Sequence, residues 1–373
     1  MPKTTIPKIF ALIVSLIFGS SCDFGWIETG RVQANQGNLR SFTVTNEIQV
    51  PKVKKIGLNL GFATSWGAEQ LNANVIKNPG FEGLIDRALV IVKTSSPGSF
   101  TDNESYLGRP DGFWTDAFYE VRSGRNAGRQ GKIINSRQTN SHNLPDFTID
   151  DPTLTFDEGD VISLTKIDDD GIPARWWFSP ESADLIGVDK QIIPPNSSGK
   201  RSLSLNPQTG KPASVSSYLD AITERAGKML PVNGLWSISF WTLRKSGTAS
   251  LTVSFGRKMS LPFVQKTLTP SNNWAKTIIN FNGKDTGKNG ILELNFKTSG
   301  EVGQILLDDV ELKAVQAENS PFRSEVVNAL DQIQPVYLRD WQGQLGDTIE
   351  NRLADRFARR TVRVRRCSRT ASR

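Results

Sequence analysis

Histidine occurs once in 373 residues, at His142, and cysteine twice, at Cys22 and Cys367. A hydrolase built on Ser, His and Asp would have to rest on that one imidazole, which lies in a polar Asn-Ser-His-Asn stretch. Zinc sites made of several His or Cys ligands are excluded, and two thiols at opposite termini form no disulfide framework. A metal, if bound, must be held by oxygen ligands, the chemistry of calcium or magnesium. A basic surface is missing too. The net charge is +7, but the final fifteen residues hold seven Arg and no acid. Setting those seven aside leaves 38 of the 45 basic residues against 38 acidic ones. A neutral body offers no Lys and Arg face, so nucleic acid is not expected as a partner.

One apolar run stands at the start. Lys3 and Lys8 lead into Ile9 to Phe18, and Gly19-Ser-Ser-Cys22 follows. Basic residues, a short apolar run and small residues make an export signal over 1–22, and the run is too short to remain as a membrane anchor. The chain is therefore expected in the periplasm, at the cell surface or outside the cell. Cys22 has two readings. The small residues before it resemble a bacterial lipoprotein signal, in which that Cys receives lipid and attaches the chain to a membrane. Gly19 replaces the Leu usual there, and the other reading is simple cleavage near Ser21. Residues 23–50 show no period and read as a tether.

Between residues 50 and 314 no long helical period appears. Short alternating runs recur between Gly, Pro, Asn and Asp clusters, the pattern of a β-sandwich. In Leu235 to Leu243, Trp236, Ile238 and Phe240 share one face while Ser237, Ser239 and Trp241 share the other. Leu251, Val253 and Phe255 repeat the device, as do Leu292, Leu294 and Phe296, and more briefly Leu203 and Leu205. One buried stripe per strand requires two sheets packed face to face. A second strand-rich patch contains Ala117–Val121, Lys132–Ile134, Phe147–Ile149 and Asp160–Leu164, punctuated by glycines, and reads as a small inserted β domain. The Asp168-Asp-Asp-Gly171 run reads as a hairpin turn. A helix is predicted after Ser320-Pro321, with Val326, Leu330 and Ile333 on one stripe, followed by a strand at 336–339. Helix then strand after a pure β region marks a domain change near residue 315.

The strand Ile305–Leu312 carries the chemistry. Period two places Leu306, Asp308, Val310 and Leu312 on one face, which aims Asp308 into the core. A buried, unpaired carboxylate costs several kcal/mol or changes its protonation. Either a bound calcium with carbonyl co-ligands meets it, or Asp308 sits at the sandwich rim under a Lys or backbone amides.

Asn78-Pro-Gly-Phe-Glu82, Trp236-Ser-Ile-Ser-Phe-Trp241, Trp274 and Leu307-Asp-Asp-Val-Glu-Leu312, in that order, resemble the family 4/9 type of carbohydrate-binding module. The resemblance implies a jelly-roll sandwich whose first and last strands are neighbours, with a structural calcium near the Gly-Phe-Glu start. Carried over, Asp308 is the side-chain ligand, Gly80 and Gly199 supply carbonyls, and Glu82 is a further candidate. It covers 76–83 and 196–314, and departs from the family in the interval of over a hundred residues between its first two strands. Phe322 to Leu330 and Pro335-Val-Tyr-Leu-Arg339 resemble the entry to the catalytic barrel of family-51-like α-L-arabinofuranosidases. Where that family has Pro-Gly-Gly, this chain has Asp340-Trp-Gln-Gly343. A (β/α)₈ barrel takes ~250 residues, and a glycosidase needs two carboxylates held across the scissile bond. Asp340, Asp347 and Glu350 do not supply that geometry, and no catalytic residue is assigned.

Sugar recognition uses aromatic rings against the apolar faces of sugar rings, with amides, carboxylates and Arg on the hydroxyls. Trp241 is the leading platform, Tyr218 a second, and Trp177 a third, because Trp176 and Trp177 cannot both face inward on one strand. Trp236 and Trp274 are expected in the core.

The sequence thus reads as mostly β. It gives a first strand region over 51–83, an inserted β-rich subdomain over 84–195 and a jelly-roll carbohydrate-binding sandwich over 196–314. A truncated α/β fragment, the start of a (β/α)₈ barrel, follows over 315–358. Residues 359–373, with no apolar stripe and no cap, read as an aberrant basic tail from a frameshifted or truncated frame, or as a genuine cationic arm. The expected function is an exported, monomeric protein that binds a polysaccharide or oligosaccharide, the non-catalytic front of a polysaccharide-degrading glycoside hydrolase. The alternatives are an arabinofuranosidase-like hydrolase whose barrel is missing from this chain, and a surface structural or adhesion sandwich that binds no sugar.

Overall fold

The computed structural model describes residues 57–59, 71–103, 109–137, 144–222, 225–226, 230–286, 290–316, 320–339 and 348–364. The leader, the tether, Cys22, His142, Asp340, Asp347, Cys367 and the last nine residues of the basic tail lie outside them.

A two-residue strand, β1 (Leu58–Asn59), precedes an excursion of six strands. These are β2 (Leu84–Ser96), β3 (Ser99–Asp102), β4 (Phe118–Val121), β5 (Gln130–Arg137), β6 (Asp146–Ile149) and β7 (Val161–Asp168). They pair in the order β2-β3-β6-β5-β4-β7, and β7 returns to β2. The sheet closes into a small barrel, which leaves no open edge among these strands. Closure works because β2 serves two neighbours, with Leu84 to Ile91 on β7 and Val92 to Ser96 on β3. Val90, Phe100, Tyr119, Ile133, Phe147 and Ile162 fill the interior.

The sandwich follows: β8 (Trp177–Phe178), β9 (Ile186–Asp189), β10 (Ser202–Leu205), β11 (Ser214–Leu219), the hairpin β12 (Ala221–Ile222) and β13 (Arg225–Ala226), β14 (Asn233–Gly247), β15 (Leu251–Arg257), β16 (Val264–Leu268), β17 (Ala275–Lys284), β18 (Leu292–Thr298) and β19 (Gly303–Ala314). One five-stranded sheet runs β17-β14-β19-β10-β9 and the other β16-β15-β18-β11-β8. The fold is therefore a jelly-roll-type β-sandwich carrying an inserted β barrel. Trp236, Ile238, Phe240, Val253, Phe255 and Phe296 lie between the two sheets, as their alternation requires. The excursion ends near residue 175 and not at 195, because β8 and β9 are paired into the two sheets. Trp274, expected in the core, is half-buried just before β17 and outside the core cluster.

A sandwich tolerates so long an excursion because the two ends of the loop meet. The Trp176 indole N–H donates to the Asn78 carbonyl (2.9 Å), and the Asn78 amide donates to Ala174 (3.0 Å) and to the Glu82 carbonyl (2.9 Å). The Phe81 and Trp176 rings lie 4.6 Å apart. A loop pinned at its neck has its closure entropy met locally, and its length then matters little.

Two helices and two strands complete the chain: α1 (Ser324–Ile333), β20 (Leu338–Arg339), α2 (Ile349–Leu353) and β21 (Thr361–Val364). The first helix starts at Ser324 and not at Pro321, because the Ser320 hydroxyl takes the Phe322 N–H and Phe322 bridges Asn72. β20 pairs in parallel with β1. β21 pairs in parallel with Leu84 to Arg87 of β2. The first six residues of the expected aberrant tail, 359–364, are thus docked, and part of them is a strand.

Candidate functional site

The two outer faces of the sandwich differ. On the sheet β16-β15-β18-β11-β8, inward Val215, Leu294, Phe296 and Val253 leave alternate residues outside. Register aligns Trp177, Ser216, Asn295, Ser254 and Gln265 in one row across all five strands. The Trp177 and Tyr218 rings lie 5.4 Å apart, Trp177 is 43% exposed, and Lys258 Nζ stands 5.4 Å over the Tyr218 ring. The Asn295 amide donates to the hydroxyls of Ser214 (2.9 Å) and Ser216 (2.8 Å), and Ser216 donates to Glu293 Oε1 (2.7 Å). This network fixes the positions of these donors and acceptors. Burial pushes the Tyr218 phenol up, and Glu293 adds to it against the Ser216 hydrogen bond. A cleft of 620 Å³ continues the face past Ser214 and Lys297 to Ser179, Glu181 and Lys211.

Trp241 is elsewhere. It lies on β14 in the opposite sheet, half-buried, cross-strand from Lys276 and Asp308. The structure therefore joins two of the three candidate rings, Trp177 and Tyr218, and separates the third. Trp176 is buried in the core.

The second face carries the acids. Between Ser239/Glu311 and Trp241/Asp308 the register of β14 on β19 slips, a β-bulge that leaves Asp309 with φ +49°. Ile305 and Leu307 enter the core before the bulge, and Val310 and Leu312 after it. The extra residue resets the alternation, so Asp308 turns away from the core and not into it, and Leu306 does not share a face with Val310. Asp308 is buried all the same. Segment 74–79 runs beside β19, with Val75 N–H on the Leu312 carbonyl and Val310 N–H on the Pro79 carbonyl (both 2.9 Å). β10 flanks the other end of β19, so Asp308 sits at the seam where β10 gives way to this segment.

At that seam Asp308 Oδ1 accepts the Asp309 N–H (2.8 Å), while Oδ2 has no hydrogen-bond partner among the described residues. Glu82 Oε1 accepts the Lys200 N–H (2.6 Å), and Ser197 Oγ donates to Asp309 Oδ1 (3.2 Å). Burial holds the Asp308 carboxyl well above the usual carboxylate range, and Asp309 and Glu82 reinforce it. Asp309 is pushed up to about 6, by burial first, with the Ser197 hydrogen bond opposing. Glu82 is raised by burial, against the Lys200 N–H and the Arg201 charge. Asn78 (φ +53°) and Phe81 (φ +54°) are also left-handed here. Left-handed non-glycine residues cost about 1–3 kcal/mol each and cluster where a site over-determines the backbone. Among the described residues no three His, Cys, Asp or Glu side chains gather as metal ligands. A cation at this seam needs backbone carbonyls beside its one orphaned carboxylate oxygen, and the donor set fits a hard, oxygen-seeking ion.

Sequence reasoning missed the residues that cover the seam. Arg360 makes a bidentate pair with Asp169 (2.6 and 2.7 Å), and Arg363 one with Asp86 (2.6 and 2.8 Å). Ser198 donates to Asp355 (2.7 Å). Asp169, read as part of a turn, is an anchor for Arg360, and Arg360 holds its carboxyl below the usual range.

No protein-family model matches the sequence, and no curated protein matches it. Among solved structures the chain is similar to the enzymatically active domain of tailspike protein 4 from bacteriophage CBA120, at 15% identity over 38% of this chain and 20% of that one, TM-score 0.29. It is also similar to the module TmCBM61 in complex with β-1,4-galactotriose, at 16% identity over 38% and 90%, TM-score 0.27. A third likeness is to an arabinose-bound GH51 α-L-arabinofuranosidase, at 14% identity over 48% and 30%, TM-score 0.36. The chain spans 20% of the tailspike domain and 30% of the arabinofuranosidase.

Proposed function

We propose that this protein binds a polysaccharide or oligosaccharide on the outer face of the sheet β16-β15-β18-β11-β8. The observation that carries the reading is the exposed Trp177 ring paired with Tyr218, set beside a fixed row of hydroxyl, amide and carboxylate groups. Aromatic rings take the apolar face of a sugar with little entropy cost, and the polar row meets its hydroxyls. The chain acts as a non-catalytic sugar-binding part of a polysaccharide-degrading system, exported by its N-terminal signal.

A structural cation, calcium by its oxygen donors, sits in this reading at the opposite seam. Asp308 supplies the carboxylate, Gly80 and Gly199 the carbonyls, and Glu82 a second acid. Its role is to neutralise a buried carboxylate whose Oδ2 has no hydrogen-bond partner among the described residues.

The test is affinity electrophoresis on gels containing xylan, arabinan, galactan or mixed-linkage glucan. Retardation on at least one is expected, lost in Trp177→Ala and in Tyr218→Ala. Retention lost only in Trp241→Ala would move the site to the other sheet. Unchanged mobility on every gel would leave a structural or adhesion sandwich.

A further inference from the structure

We infer that the C-terminal strap, 355–363, is itself part of the cation site: the Phe357 carbonyl is a ligand, and strap docking and cation binding are one coupled event. This rests on the proposed cation at Asp308.

Anchors stand on both sides of Phe357. Asp355 is held by Ser198, while Thr361 N–H donates to the Gly83 carbonyl (3.0 Å) and Arg360 and Arg363 pair with Asp169 and Asp86. These contacts fix where the intervening carbonyl lies. A methyl group at Gly80 would overlap the Phe357 oxygen. An atom at the Cβ position that Gly199 lacks would lie 3.0 Å from Glu82 Oε1, 3.3 Å from Ser197 Oγ and 3.4 Å from the Phe357 oxygen. Three oxygens from three distant segments therefore converge beside Gly199. The Phe357 oxygen accepts no hydrogen bond from the described residues. A carbonyl presents its negative end, and leaving it without a donor in the same neighbourhood as a carboxylate oxygen is unfavourable. A hard cation reverses that sign, since carbonyl and carboxylate oxygens together are its preferred ligands.

Both glycines gain a reason. A side chain at Gly80 would take the place of the strap carbonyl, and one at Gly199 would enter the space between the oxygens. Coupling of this kind is reciprocal: whatever the cation adds to strap docking, the strap adds to cation affinity.

The experiment uses the full chain. Calcium affinity is measured by titration calorimetry, and the exchange of amide hydrogens at 355–363 is followed by mass spectrometry in calcium and in chelator. Exchange of the strap is expected to be about tenfold faster in chelator, with the sandwich strands unchanged. The double variant Arg360→Ala/Arg363→Ala, which leaves every proposed ligand in place, is expected to weaken calcium binding about fivefold. Gly80→Ala should do so more strongly, and if it fails to fold, the arginine pair still decides. Should calcium bind the natural chain and be lost in Asp308→Asn, while strap exchange ignores calcium and the arginine variant binds normally, the coupling is wrong and the cation site stands. Absence of calcium binding to the natural chain would overturn both.

Discussion

The two sheets of the sandwich share one core and turn opposite chemistry outward. On one, Ser216, Asn295 and Glu293 are satisfied by one another and stand beside the exposed Trp177 ring and the half-buried Tyr218 ring. On the other, Asp308 and Glu82 are covered by segment 74–79 and by a strap from the far end of the chain. The difference is burial. A polar group that keeps some contact with water, as half-buried Asn295 and Glu293 do, can exchange water for ligand hydroxyls at little cost. The same kinds of group, once covered, must find a partner inside the structure.

The comparison can be broken most directly at Trp177. Truncating a ring that anchors a ligand costs about 2 kcal/mol, roughly thirtyfold in affinity, so Trp177→Ala should reduce glycan binding by that order in calorimetry. An unaffected affinity would leave the first face without a role. At the second face, Asp308→Asn should raise the thermal stability of the chelated chain by roughly 2 kcal/mol, because it removes a buried carboxylate that lacks a cation. The same variant should no longer be stabilised by calcium. Equal melting of variant and natural chain under both conditions would mean that Asp308 is not under strain.

Acid provides a finer probe of the strap. Arg360 depresses the Asp169 carboxyl in the folded chain, so the pair contributes stability above the ordinary carboxylate pKa and loses it as pH falls through the depressed value. The melting difference between the natural chain and Arg360→Ala should therefore shrink on acidification. A constant difference down to the acid limit would place the effect of Arg360 elsewhere. The smallest effect is expected at Trp241. If the second face binds no sugar, Trp241→Ala should change glycan affinity by less than about twofold, within the usual range of a surface substitution outside the contact.

How much could be read beforehand depended on how local the cause was. β14, β15 and β18 were legible because each strand has one buried face, and period two survives in the residues. β2 was not. Ile85 to Ala88 are all buried, so that half of the strand shows no alternation. Period two failed again at Asp308, where one extra residue in β19 turned the acid to the opposite face from the one expected. Trp177 and Tyr218 could each be named as candidate rings. Their pairing at 5.4 Å needed the register of β8 on β11, and with it the closing of the barrel that brings residue 176 back to residue 78.

The sequence by itself determined the β class, the stripes that make two sheets, the neutral body and the oxygen-only character of any metal site. Those properties follow from residue type and short-range alternation. Only the tertiary structure decided which ring faces which, where Asp308 points, and that Arg360 and Arg363 pair with acids 191 and 277 residues earlier. Such contacts depend on chain path, which no local period records.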